Sequence, residues 1–100
     1  MKIVEAKNFD NEISKGTVFV DFYADWCGPC KMMGPIVEEV EKELTDISFI
    51  KVNVDNAEEI AMRYGIMSIP TFFLFKEGQL NKKMVGGHSK QEVVNFIKGN

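Results

Sequence analysis

Cysteine is scarce in this chain, with two residues, Cys27 and Cys30, among 100. So small a number excludes a disulfide-stapled scaffold, and a bridge across two intervening residues closes too short a loop to stabilise much. With a single histidine, His88, the pair also falls short of the four ligands a structural zinc ion takes. No apolar run approaches the roughly 18 residues of a membrane span, and Met1-Lys2-Ile3-Val4-Glu5 moves into charge where a signal peptide would be apolar. A cytoplasmic location is the expectation, and there a close cysteine pair is catalytic or metal-binding more often than structural. No block of like charge occurs, 12 basic residues standing against 15 acidic, so neither nucleic acid nor a membrane surface is an expected partner. No glycine-rich loop follows a strand, which leaves no bound nucleotide cofactor to expect. Linkers, repeats and low-complexity stretches are absent too, and the length suits one domain, 1–100.

What is present alternates between two periods. Lys2 to Glu5 is expected as a short strand, followed by a brief helix capped by Asn8 and ending near Gly16. Thr17 to Tyr23 is dense in β-branched and aromatic residues, the composition of a strand. From Cys30 to Leu44, Met33, Ile36, Val37, Val40 and Leu44 keep one helical face, with Pro35 as an expected kink. Ser48 to Val54 alternates as a strand, and Asp55 or Asn56 is expected to cap a helix running to Tyr64 and stopping at Gly65. Thr71 to Lys76, a Glu77-Gly78 turn and Leu80 to Val85 form a hairpin, and Ser89-Lys90-Gln91-Glu92 is a capping box before the last helix. The order βαβαβαββα implies an α/β fold with a mixed central sheet and helices on both faces.

The segment Val18 to Pro35 runs from strand through Cys-Gly-Pro-Cys into helix, which sets two thiols at the positive end of a helix dipole. The thiolate is favoured there, within the range of about 3.5 to 7.5 known for Cys-X-X-Cys thiols against about 8.5 for a free one. Cys27 is then the nucleophile toward a target disulfide, and Cys30, three positions on, resolves the mixed disulfide. Pro29 suits an early helical position and Gly28 allows close approach, so both tune the pair. Asp21 interrupts an apolar strand expected to be covered on both faces, where loss of water raises its pKa and fits it to exchange a proton with Cys30. A solvated carboxylate at a sheet edge is the plainer alternative. Lys51 breaks the next apolar strand and either tunes Asp21 or snorkels to solvent. Trp26, Met67, Ile69 and Gly86 could frame an open apolar surface around Cys27, or Met67 and Ile69 could continue the core while the glycines serve a turn. Pro70 opens a strand, which any ladder tolerates. Met32, Met33, Met62 and Met84 are expected in the core or as ordinary surface, and His88 as a solvated loop residue.

Trp26-Cys27-Gly28-Pro29-Cys30-Lys31 resembles the active-site signature of the thioredoxin family. Asp21, Pro35, Lys51-Val52-Asn53-Val54-Asp55, Ile69-Pro70-Thr71, Phe75-Lys76-Glu77-Gly78 and Val85-Gly86 recur in the same order, so the resemblance covers nearly the whole chain. Tyr23 departs from it, tryptophan being frequent at that place. The resemblance implies the thioredoxin fold and protein-disulfide reductase activity. It further implies a proton-transfer role for Asp21 and a cis bond before Pro70, with the Ile69 backbone pairing an extended client by strand addition. No bound cofactor or metal is implied; electrons would come from NADPH, or from ferredoxin, through a thioredoxin reductase. Implied clients are disulfide-bearing proteins of the ribonucleotide reductase, peroxiredoxin and methionine sulfoxide reductase types; nothing in the sequence suggests more than a monomer. A disulfide oxidase or isomerase of the same fold, and a non-catalytic thioredoxin-like binding module, are the alternatives. Gly-Pro between the cysteines resembles the reducing members.

Overall fold

The computed structural model describes residues 1–99. Five strands and four helices alternate: β1 (Lys2–Ile3), α1 (Ala6–Glu12), β2 (Thr17–Tyr23), α2 (Gly28–Glu43), β3 (Ser48–Asn53), α3 (Glu58–Arg63), β4 (Thr71–Lys76), β5 (Gln79–Val85) and α4 (Lys90–Lys98). The sheet order is β1-β3-β2-β4-β5. β3 pairs in parallel with β1 and β2, whereas β4 runs antiparallel to β2 and β5 to β4. The expected βαβαβαββα order and mixed sheet are therefore what the chain forms.

Period-two alternation in the central strands divides the apolar side chains between two layers. Val18, Val20 and Phe22 of β2, with Ile50, Val52, Phe73 and Phe75, pack against Phe9 and Ile13 of the α1 segment and Ile60 of α3. On the opposite face Phe19, Phe49, Phe72 and Leu74 meet Met33, Val37 and Val40 of α2 and Val93 and Ile97 of α4. Burying a phenylalanine completely contributes about 1.5–3 kcal/mol, and Phe9, Phe19, Phe22, Phe72, Phe73 and Phe75 are all fully buried. That double cover holds β2 and β4 rigidly, and the ends of those strands carry the site.

Three local expectations need correction. Asn8 does not cap α1: the N-cap is Glu5, with no side-chain hydrogen bond, and Asn8 lies inside the helix. The helix also stops at Glu12 rather than near Gly16, because Gly16 is claimed by the hairpin turn. Its N–H donates to the Glu77 carboxylate at 3.1 Å while its carbonyl accepts from the Glu77 N–H at 3.0 Å. Neither Asp55 nor Asn56 caps α3, whose N-cap is Ala57. The Asp55 carboxylate is occupied elsewhere, accepting from the Trp26 indole at 2.9 Å. Pro35 lies within α2, and the helix is continuous through it. The capping box before α4 forms as expected, Ser89 Oγ accepting from the Glu92 N–H at 3.2 Å and Glu92 Oε1 from the Ser89 N–H at 2.9 Å. Among the described residues, no helix is long and apolar enough to cross a membrane.

Candidate active site

Where β2 ends, the chain turns through Ala24 and Asp25 and enters α2 at Gly28. Cys27 is the N-cap, in extended conformation with φ −86° and ψ 108°, a place that asks for a side-chain acceptor. Sulfur fills it: Cys27 Sγ accepts from the Cys30 N–H at 3.2 Å. Pro29 sits in the first turn, where its missing N–H leaves no intrahelical bond unmade. Cys27 and Cys30 are joined as a disulfide with Cα atoms 5.3 Å apart, and both are buried, packed with Ala24, Tyr23, Val54 and Ile69. After reduction, the same amide and the helix end would face a Cys27 thiolate, and both favour negative charge.

Two hollows flank the pair. The one on the Cys30 side, about 520 Å³, is lined by Asp21, Tyr23, Ala24, Asp25, Cys30, Lys31 and Lys51 among others. Asp21 is 4% exposed, and its Oδ1 has no hydrogen-bond partner. Loss of water pushes its pKa from 3.8 up to about 6, against the opposing pull of Lys51. Parallel pairing puts Asp21 opposite Lys51 in the β2–β3 register. The lysine ammonium stands 4.5 Å from the centre of the Tyr23 ring, which makes the departure noted in the sequence a seat for that charge.

On the Cys27 side lies a more apolar groove of about 540 Å³, lined by Trp26, Val54, Ala61, Met62, Met67 and Ile69 among others. Trp26 is 70% exposed yet held in place by its bond to Asp55. Cys27 Sγ lies 3.8 Å from the carbonyl oxygen of Ile69, and the Ile69-Pro70 peptide bond is cis. Gly86, at φ +89°, stands behind this segment: its N–H donates to the Pro70 carbonyl at 2.8 Å.

The site residues read from the sequence therefore gather in one place, on two sides of the cysteine pair. Trp26, Met67 and Ile69 share the groove, Asp21 and Lys51 share the cavity, and Gly86 contacts Pro70 outside the groove lining. Tyr23, Asp55 and Met62 were not assigned to a site from the sequence, though all three touch this one. Met62 stood apart by its position on the polar side of a short helix, which was the available signal. His88 lies in the loop between β5 and α4, as expected, but is half-buried there, with Nε2 2.9 Å from the Val85 carbonyl oxygen. Among the described residues no cluster of three or more His, Cys, Asp or Glu is placed to hold a metal ion.

Residues 1–99 match the family model described as Thioredoxin. The chain is similar to a thioredoxin of Chlamydia caviae, 42% identical over 97 residues that span 97% of this chain and 95% of that one. Similarity to a thioredoxin of Bacillus subtilis is 45% over 101 residues, spanning 95% and 97% of the two. The solved structure of Plasmodium falciparum thioredoxin superposes with a TM-score of 0.93 at 39% identity, covering 99% of this chain and 98% of the other.

Proposed function

The chain belongs to the thioredoxin family of thiol-disulfide oxidoreductases, and from that premise we propose which side chain carries each step of its protein-disulfide reduction. Cys27 thiolate attacks one sulfur of a client disulfide, forming a Cys27–client disulfide and expelling the other client sulfur as thiolate. Asp21 carboxylate takes the proton from the Cys30 thiol, directly or through a water in the shared cavity. Cys30 thiolate then attacks Cys27 Sγ, the intramolecular disulfide closes, and the second client thiolate leaves. Two electrons pass to the client, and the proton held on Asp21 returns to the released thiolate or to solvent. Lys51 stabilises the ionised Asp21, while Gly28 and Pro29 tune the pair. Trp26, Met67, Ile69 and Pro70 bind the client, whose extended backbone pairs with Ile69, and Gly86 supports Pro70.

One observation carries this reading. The disulfide caps a helix with one sulfur accepting a backbone amide, above a cavity lined by a buried carboxylate whose Oδ1 has no hydrogen-bond partner. Disulfide-bearing clients and a reductase are the partners that go with the family. For the finer steps, we place the electron source in NADPH or ferredoxin, delivered through a thioredoxin reductase to a single domain, residues 1–100, acting as a cytoplasmic monomer. Peroxiredoxins, ribonucleotide reductase and methionine sulfoxide reductases are the client types proposed. Neither an oxidase or isomerase nor a non-catalytic module is favoured by the family match. Insulin reduction with dithiothreitol tests the reading. Turnover that disappears in Cys27→Ser supports it, and turnover that survives that change overturns it.

A further inference from the structure

We infer that the groove beside Cys27 selects client segments that carry a basic side chain, with an apolar one, next to the disulfide to be reduced. This rests on the exchange reading above and adds a preference to it. The groove walls supply apolar surface from Trp26, Val54, Ala61 and Ile69. Two thioethers stand at its mouth, Met62 at 81% exposure and Met67 at 94%. Unbranched and polarisable, they conform to side chains of different shape, so the apolar half of the groove tolerates variety.

Charge is where it discriminates. Glu58 is the single ionisable residue among those lining the groove, and it forms no ion pair among the described residues. The cation nearest in sequence, Arg63, is already held by Asp10 at 2.6 Å, and Asp55 is held by the Trp26 indole. A client entering the groove therefore meets the unpaired carboxylate of Glu58 beside an apolar floor, and the Asp55 carboxylate, whose indole partner is neutral, adds negative charge behind Trp26. Lysine or arginine fits both halves, its aliphatic stem lying along the thioethers and its charged end reaching Glu58. Glutamate at the same client position would be repelled. Exposed pairs of this kind change association by about 2- to 5-fold and fade as salt rises.

The test is single-turnover reduction, by the full reduced chain, of two cystine peptides identical except for Lys or Glu beside each cysteine. An uncharged small disulfide is run in parallel. The Lys peptide is expected to react about 2- to 5-fold faster at low salt, the preference shrinking in Glu58→Gln and reversing in Glu58→Lys. Equal rates for the two peptides, or a preference that survives Glu58→Lys, would overturn the inference and leave the exchange reading standing. Failure to reduce either peptide or the uncharged disulfide would overturn both.

Discussion

The two sides of one disulfide differ in almost every physical respect. On the Cys27 side the surface is open and apolar, with Trp26, Met62 and Met67 exposed to incoming chain. On the Cys30 side a carboxylate is buried without a hydrogen-bond partner at Oδ1, and its nearest help is a lysine across the strand pair. An apolar groove lowers the cost of docking a client, whereas a buried acid suits proton exchange and is a poor docking surface. Separating the two across adjacent sulfurs lets a helix N-terminus serve as one site with two functions.

The strongest way to break the comparison is to remove one sulfur at a time. Cys27→Ser should abolish reduction altogether, whereas Cys30→Ser should still attack and then stall as a mixed disulfide visible by mass spectrometry. Asp21→Asn comes next. Resolution of the mixed disulfide should slow by about 100-fold at neutral pH while its formation is nearly unchanged, as stopped-flow of the two steps would show. Equal slowing of both steps would remove Asp21 from the proton path.

The same substitution has a stability signature with a defined sign. Asp21 holds its proton up to about pH 6 in the folded chain against 3.8 as its ordinary value, so between those limits the folded state binds the extra proton. Stability then falls as pH rises through that window, by about 3 kcal/mol in all. Asparagine does not ionise, so Asp21→Asn should be more stable than wild type by up to about 3 kcal/mol at about pH 8 and nearly equal to it at about pH 3.5, measured by urea unfolding. Lys51→Met sharpens the picture on a smaller scale. Without the ammonium, ionised Asp21 loses its support, and the pH midpoint of the resolving step should move above about 6. The smallest change lies far from the contrast: Ser89→Ala removes the α4 cap and should cost about 1 kcal/mol, with the rate of reduction unaltered.

Most of the element order was legible because the period changes are clean, as in Val18-Phe19-Val20 against Val37 and Val40. The Ser89-Glu92 box was legible because both partners are local in sequence. What failed was local chemistry overruled by distant partners. Asp55 looks like a helix cap until Trp26, 29 positions away, takes its carboxylate. Gly16 looks like a helix stop until Glu77 claims its backbone. At the site, the thiols and Asp21 announce themselves by residue type, because a helix-capping cysteine and an acid in an apolar strand are both costly without purpose. Tyr23 as the seat of Lys51, and the division of the site into cavity and groove, depend on which strands pair and in which register. Periodicity within a strand carries no information about that.

Fast attack on a client disulfide requires reduced Cys27 to ionise more readily than a free thiol. The direct measurement is the alkylation rate of reduced Cys30→Ser protein by iodoacetamide as a function of pH, which titrates Cys27 alone. A midpoint at or below about 7.5, inside a range to which thioredoxins themselves contribute, is the result predicted from the amide at 3.2 Å and the helix end. A midpoint near about 8.5, that of a thiol free in water, would contradict it.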